Sequence, residues 1–228
     1  MLLVVSMAAR LVSAQDNRQI EHTVKRTSDF ALTGDGSADE WKKTEWLDLS
    51  KRSGDVAYAS TLKLLHSEKG IYCLFRCEDK TITATFTSDF SNLWTEDVVE
   101  IFFWTDESAP IYFEYELSPL NYELPILIPN FNGHFLGWQP WHYEGDRKTR
   151  HETKVQRDAA GNPVSWTAEV FIPYVLLTPL MNVPAKPGQP WRMNAYRVDH
   201  DKGHATWSWV PVTTNFHDYK RFGTLKFE

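Results

Sequence analysis

The sequence has no basic block. Its 24 Lys and Arg are dispersed and the formal net charge is -6, so the electrostatic footprint of a nucleic-acid binder is missing. Helical periodicity is missing too. Only "PYVLLTPLM" reads as a short helical turn, and its prolines cut it. After residue 20 no apolar run is long enough to span a bilayer. No Gly-x-Ser-x-Gly elbow, phosphate-binding loop or dinucleotide motif occurs. Cysteine is scarce: Cys73 and Cys77 stand four apart in "IYCLFRCED". On one face of a strand their Cα atoms are roughly 13 Å apart, beyond the reach of about 7 Å that a disulfide allows. Without a nearby histidine they make a poor metal set. They are expected as two buried thiols acting as small hydrophobes.

Aromatic residues are abundant: 10 Trp, 9 Tyr and 13 Phe in 228 residues. Most suit strand packing, which leaves two or three for stacking on a ligand. Hydrophobic residues make up 42%, enough for a core and too many for a mainly disordered chain. Strand signals separated by turns run along the chain. "AYASTLKLLHS" and "IYCLFRCED" flank "EKG", where Gly70 offers a positive φ. "DVVEIFFW" and "IYFEYELSP" flank "TDESAP", and "YELPILIP" continues the meander. "PVSWTAEVFIP", "QPWRMNAYRVD", "ATWSWVPV" and "RFGTLKFE" complete about ten strands. They predict an all-β chain, an antiparallel β-sandwich of jelly-roll type in a single domain. That domain is expected over residues 28–228, after a flexible segment at 15–27. Residues 1–14 end in small residues and read as a signal peptide, which implies a secreted or periplasmic protein. The longest stretch without strand signals, "NFNGHFLGWQPWHYEGDRKTRHE", carries Trp138 and Trp141 and has the length of a functional loop.

Three clusters have the residue types for chemistry. Glu114 and Glu116 lie two apart on one strand face, at a spacing of roughly 6–7 Å that a glycosidase pair can use. Alternate polar residues also mark a solvent face, with Phe113, Tyr115 and Leu117 as the buried set. Asp199, His200, Asp201 and His204 could gather a cation, although "DKG" reads as a hairpin turn. Asp35, Asp39 and Glu40 have the oxygen chemistry of a calcium loop without EF-hand spacing. The stretch "LWTEDVVEIFFW" is sharper. Glu100 interrupts a strand that otherwise reads as buried, and a carboxylate there is costly unless paired, hydrated or used. Either Arg76 or Arg197 pairs with it, or it lines a cleft with Trp94 at the rim. "ATWSWVPV" offers Trp207 and Trp209 on one face of a second strand. Aromatic walls with a few placed polar groups are the general design of a ligand site.

Five blocks in this order resemble a family 9 carbohydrate-binding module. They are "LTGDGSADEWKKTEWLDL", "LWTEDVVEIFF" with its Trp-x-x-Asp-x-x-Glu spacing, "SWTAEVFIPY", "WRMNAYRVD", and "WSWVPV" followed by "FHDYKRFGTLKF". The resemblance implies a β-sandwich that binds the end of an oligosaccharide or polysaccharide between two tryptophans, with no catalysis, in polysaccharide catabolism. Trp94 matches one ring and Glu100 the acid that bonds sugar hydroxyls. Trp209 is the best match for the second ring, with Trp207 and Phe216 as alternatives. The family also uses an Arg on the strand after the Glu; "IYFEYELSPLNYEL" has none, and Asn121 is its nearest polar candidate. No cofactor is required, and a structural calcium is admitted without assigned ligands. A glycoside hydrolase or a protein-interaction scaffold on the same fold are the alternatives.

Overall fold

The computed structural model describes residues 20–141, 144–178 and 180–228; the proposed signal peptide lies outside them. The strands are β1 (Glu21–Arg26), β2 (Leu47–Asp48), β3 (Ser50–Ser53), β4 (Ser60–His66), β5 (Gly70–Glu78), β6 (Val98–Trp104), β7 (Ile111–Leu117), β8 (Glu123–Phe131), β9 (His134–Phe135), β10 (Gln139–Pro140), β11 (Arg150–Arg157), β12 (Pro163–Pro173), β13 (Trp191–Asp199), β14 (Ala205–Ser208) and β15 (Gly223–Phe227). The helical turn expected in "PYVLLTPLM" is there, as α1 (Tyr174–Leu177). The chain is nearly all-β, and no helix among the described residues is long and apolar enough to cross a membrane.

The hydrogen-bonded path runs β10-β8-β7-β6-β13-β15-β1-β4-β5-β12-β11. Neighbours along it are antiparallel except at β1, which is parallel both to β15 and to β4. The sheet is therefore mixed, and the purely antiparallel expectation is corrected there. A hairpin turn forces its two strands antiparallel; β1 meets partners far along the chain, and no turn fixes its direction. It also falls inside the stretch read as flexible. Only Val24 of β1 is fully buried, so the strand carries no alternating apolar signal. For the same reason β11, which begins in the last three residues of the apparent long loop, escapes the strand reading. "RHETKVQR" is a polar strand at the end of the path, paired along its length with β12.

Both halves of the path feed one core. Ile101 and Phe103 of β6 and Phe113 and Tyr115 of β7 share it with Phe75 of β5 and with Trp166 and Val170 of β12. Cys73 and Cys77 lie in it as free, buried thiols, and burial pushes both thiols up. Gly70 does not supply a positive φ: it opens β5, and a Cβ there would stand 2.4 Å from the Ile172 carbonyl oxygen. Close approach, not turn geometry, is what requires glycine at this position. The opening block is tied down by Glu169 of β12. Its carboxylate accepts from Trp41 Nε1 (2.6 Å), the Thr33 N–H (2.6 Å), the Thr33 hydroxyl (3.0 Å) and the Gly34 N–H.

Side chains alternate across a strand, so β6, β7 and β13 have a second face. Phe102, Tyr112, Tyr196 and Val198 pack there in a separate apolar cluster.

Candidate functional site

The register of β6 and β7 sets Glu100 opposite Glu116 and Phe102 opposite Glu114. The three acids share the second face and are only 2%, 1% and 4% exposed for Glu100, Glu116 and Glu114. All three line a cavity of about 680 Å³, within the range of roughly 300–1,000 Å³ usual for small-ligand sites. The Glu114–Glu116 pair is therefore not a solvent face. Counting outward from the turn pairs 102 with 114 and 100 with 116, which is the signal in the sequence that would have gathered them.

The rest of the lining is largely aromatic. Trp94 sits on a single 3-10 turn, Leu93–Thr95, and is half-buried. Its ring meets Trp138 edge to face, with centroids 5.8 Å apart. Phe216 stacks on Tyr196 at 4.0 Å and Phe135 on His217 at 4.2 Å. Trp94, Trp138, Phe135 and Phe216 all line the cavity. Arg52 of β3 reaches it from another strand, a contribution sequence spacing does not foretell. Arg52 Nε donates to Ser208 Oγ at 2.6 Å, and Nη2 to the Ser208 carbonyl at 3.2 Å.

Burial makes ionisation costly here. It pushes the Glu100 carboxyl up to about 8. Burial and then the charge of Glu100 hold Glu114 and Glu116 well above the ordinary carboxylate range. Among the described residues the Oε2 atoms of Glu114 and Glu116 have no hydrogen-bond partner. His217 Nδ1 is 3.7 Å from Glu114 Oε2 but bonds the Tyr112 hydroxyl at 2.7 Å. Burial lowers His217 to about 4, so the ring is neutral near pH 7.

Glu100 pairs with neither candidate arginine. Arg197 is buried between Asp79 (3.1 Å) and Asp199 (2.5 Å), and Arg76 lies over the Trp46 ring. Trp207 does not face the cavity. It is 1% exposed, packs in the main core and donates from Nε1 to the Tyr58 carbonyl. Trp207 pairs with Arg197, which puts it on the core face of β14. Trp209, beyond the end of that strand, packs on the same core, its ring against Gly223. Asn121 takes a positive φ of 68° in a turn and bonds His151; it does not line the cavity. Trp141 donates to the Leu176 carbonyl, away from the cavity.

Among the described residues no three His, Cys, Asp or Glu side chains converge to hold a metal ion. Asp35 accepts from Lys154 and from the Ser37 N–H, and Asp39 pairs with Lys42. Asp199 holds Arg197, and Asp201 accepts from the Tyr58 hydroxyl.

The chain is similar in fold to a family 9 carbohydrate-binding module from Caldicellulosiruptor kristjanssonii, solved in complex with cellotriose. The TM-score is 0.64 at 18% identity, over 91% of this chain and 93% of that one. The same organism's module in complex with glucose gives a TM-score of 0.64 at 16% identity, over 91% and 95% of the two chains. A putative carbohydrate-binding protein from Bacteroides uniformis gives 0.71 at 17% identity, over 91% and 99%. No curated protein sequence matches the chain. Residues 34–228 match the family described as "Carbohydrate family 9 binding domain-like", and with nearly the whole fold inside that match the chain belongs to this family.

Proposed function

We propose that the cavity binds carbohydrate and does not cleave it, in a secreted or periplasmic protein of polysaccharide utilisation. The single observation that carries this reading is the meeting of Trp94 and Glu100 in one cavity, beside Trp138 and Phe216. A pyranose offers apolar C–H faces to the rings and hydroxyls to the acids. Stacking on Trp94, with Phe216 or Trp138 as the second ring, replaces the pairing with Trp209 that the family resemblance favours. Structural neighbours were solved with cellotriose and with glucose, which supports a sugar as ligand.

Buried carboxyls with raised pKa values also occur in active sites. Geometry argues against a hydrolase. A glycosidase places two carboxyls on either side of the scissile bond, about 5–9.5 Å apart. Glu114 and Glu116 project from one face of a single strand, two residues apart, so they stand on the same side of any bond beside them. Calorimetry with cellotriose and glucose tests the proposal. Trp94→Ala is expected to weaken binding by about 1–3 kcal/mol, the scale of ring stacking on bases. Glu100→Gln is expected to weaken it by about 0.5–1.5 kcal/mol, the scale of a neutral hydrogen bond, because burial keeps Glu100 protonated below a pKa of about 8. No reducing sugar should be released. Silence of the wild-type chain across a broad glycan array would sink the reading.

A further inference from the structure

The cavity holds more acid than neutral hydroxyls require. Glu100 comes from β6, and Glu114 and Glu116 from β7. Two of their oxygens, Oε2 of Glu114 and of Glu116, are buried without a partner among the described residues. Buried acceptors left without a partner are destabilising until a donor meets them. Other charged or titratable groups line the cavity from other elements: Arg52 from β3, His204 from the turn before β14, and His217 from the segment before β15. Arg52 is turned onto Ser208, and His217 is neutral and engaged with Tyr112. Tyr112 and Tyr196 border the same face, and burial keeps their hydroxyls protonated. Among the described residues no lysine lines the cavity, and the arginine that does, Arg52, is spent on Ser208.

A neutral sugar can donate hydroxyls to these acceptors, but it brings no charge to offset their ionisation. A protonated amine does both. Its N–H groups fill the two orphaned acceptors, and its charge favours ionised over protonated carboxyls. The aromatic lining adds attraction for a cation near a ring face. We propose that this site selects a cationic sugar, a hexosamine with a free, protonated amino group seated against Glu114 and Glu116, beside Glu100. The inference rests on the sugar-binding reading above and adds the class of sugar.

The test is calorimetry of the full chain with three matched β-1,4 trisaccharides: glucosamine, N-acetylglucosamine and glucose. It is run below the pKa of the free amine. The glucosamine trisaccharide is expected to bind at least about tenfold tighter than the other two, near 1.4 kcal/mol. Added salt should narrow that gap. The double variant Glu114→Gln/Glu116→Gln should bring the ratio close to one. Should the variant fail to fold, buffers of different ionisation enthalpy decide on the wild-type chain. The amine should release protons from the acids on binding, and cellotriose should release none. Equal or weaker binding of the amine, or no proton release, overturns this inference while sugar binding stands. Binding of none of the three overturns the sugar reading, and this inference with it.

Discussion

Burial makes ionisation of Glu100 costly. Its folded pKa of about 8 lies above its ordinary value of 4.5 because burial removes the solvation of the charge. Between those values the folded chain holds a proton that the unfolded chain has lost. Stability therefore falls as pH rises from about 4.5 to about 8. Glu100→Gln removes this term. The variant is expected to melt above wild type at pH 8 and to show a shallower decline between pH 5 and pH 8. Thermal melts across that range check it; equal slopes would show that Glu100 does not carry the dependence. At this scale the sequence was half legible. A lone acid in an apolar strand beside a loop tryptophan located Trp94 and Glu100. Trp207 was misread by strand parity, because a one-residue shift moves every side chain to the other face. Its pairing with Arg197 is set by register between β13 and β14, which composition does not encode. Glu114 and Glu116 look like any solvent-facing alternation until β6 is laid beside β7.

At the scale of elements, hairpins were legible and long-range docking was not. The β4–β5 and β6–β7 pairs follow from turn residues between apolar runs. Nothing local announces that Glu169 on β12 holds the opening block through Thr33, Gly34 and Trp41. Four donors converge on this carboxylate, and an amide in its place can accept at only one atom. Glu169→Gln is expected to leave at least one buried donor unmet and to cost about 1–3 kcal/mol. Urea unfolding measures this as a lower midpoint at unchanged slope. An unchanged midpoint would mean that the segment is held by packing of Trp41 alone. The polar strand β11 marks the other limit. It pairs fully with β12, yet its burial alternates only between exposed and intermediate, so it lacks the apolar contrast by which strands are found.

At the scale of the molecule, the nearly all-β class and the order of the blocks were legible, because they rest on many short apolar runs. The mixed path was not, since it depends on one weakly patterned strand. β1 pairs side by side with the last strand, Glu21 beside Thr224 through Val24 beside Phe227. The two strands run in the same direction, which gives the fold a mechanical character. A pull on the start of β1 against the end of β15 acts along the strands. The four register pairs between them are then loaded together, in shear, and cannot be peeled apart singly. Force spectroscopy with handles before residue 20 and after residue 228 should show one high rupture peak. Handles on the loops at either end of the β4–β5 hairpin, which opens pair by pair, should give a lower one. A domain tethered by its ends would hold its shape under tension because of this parallel seam between its first and last strands.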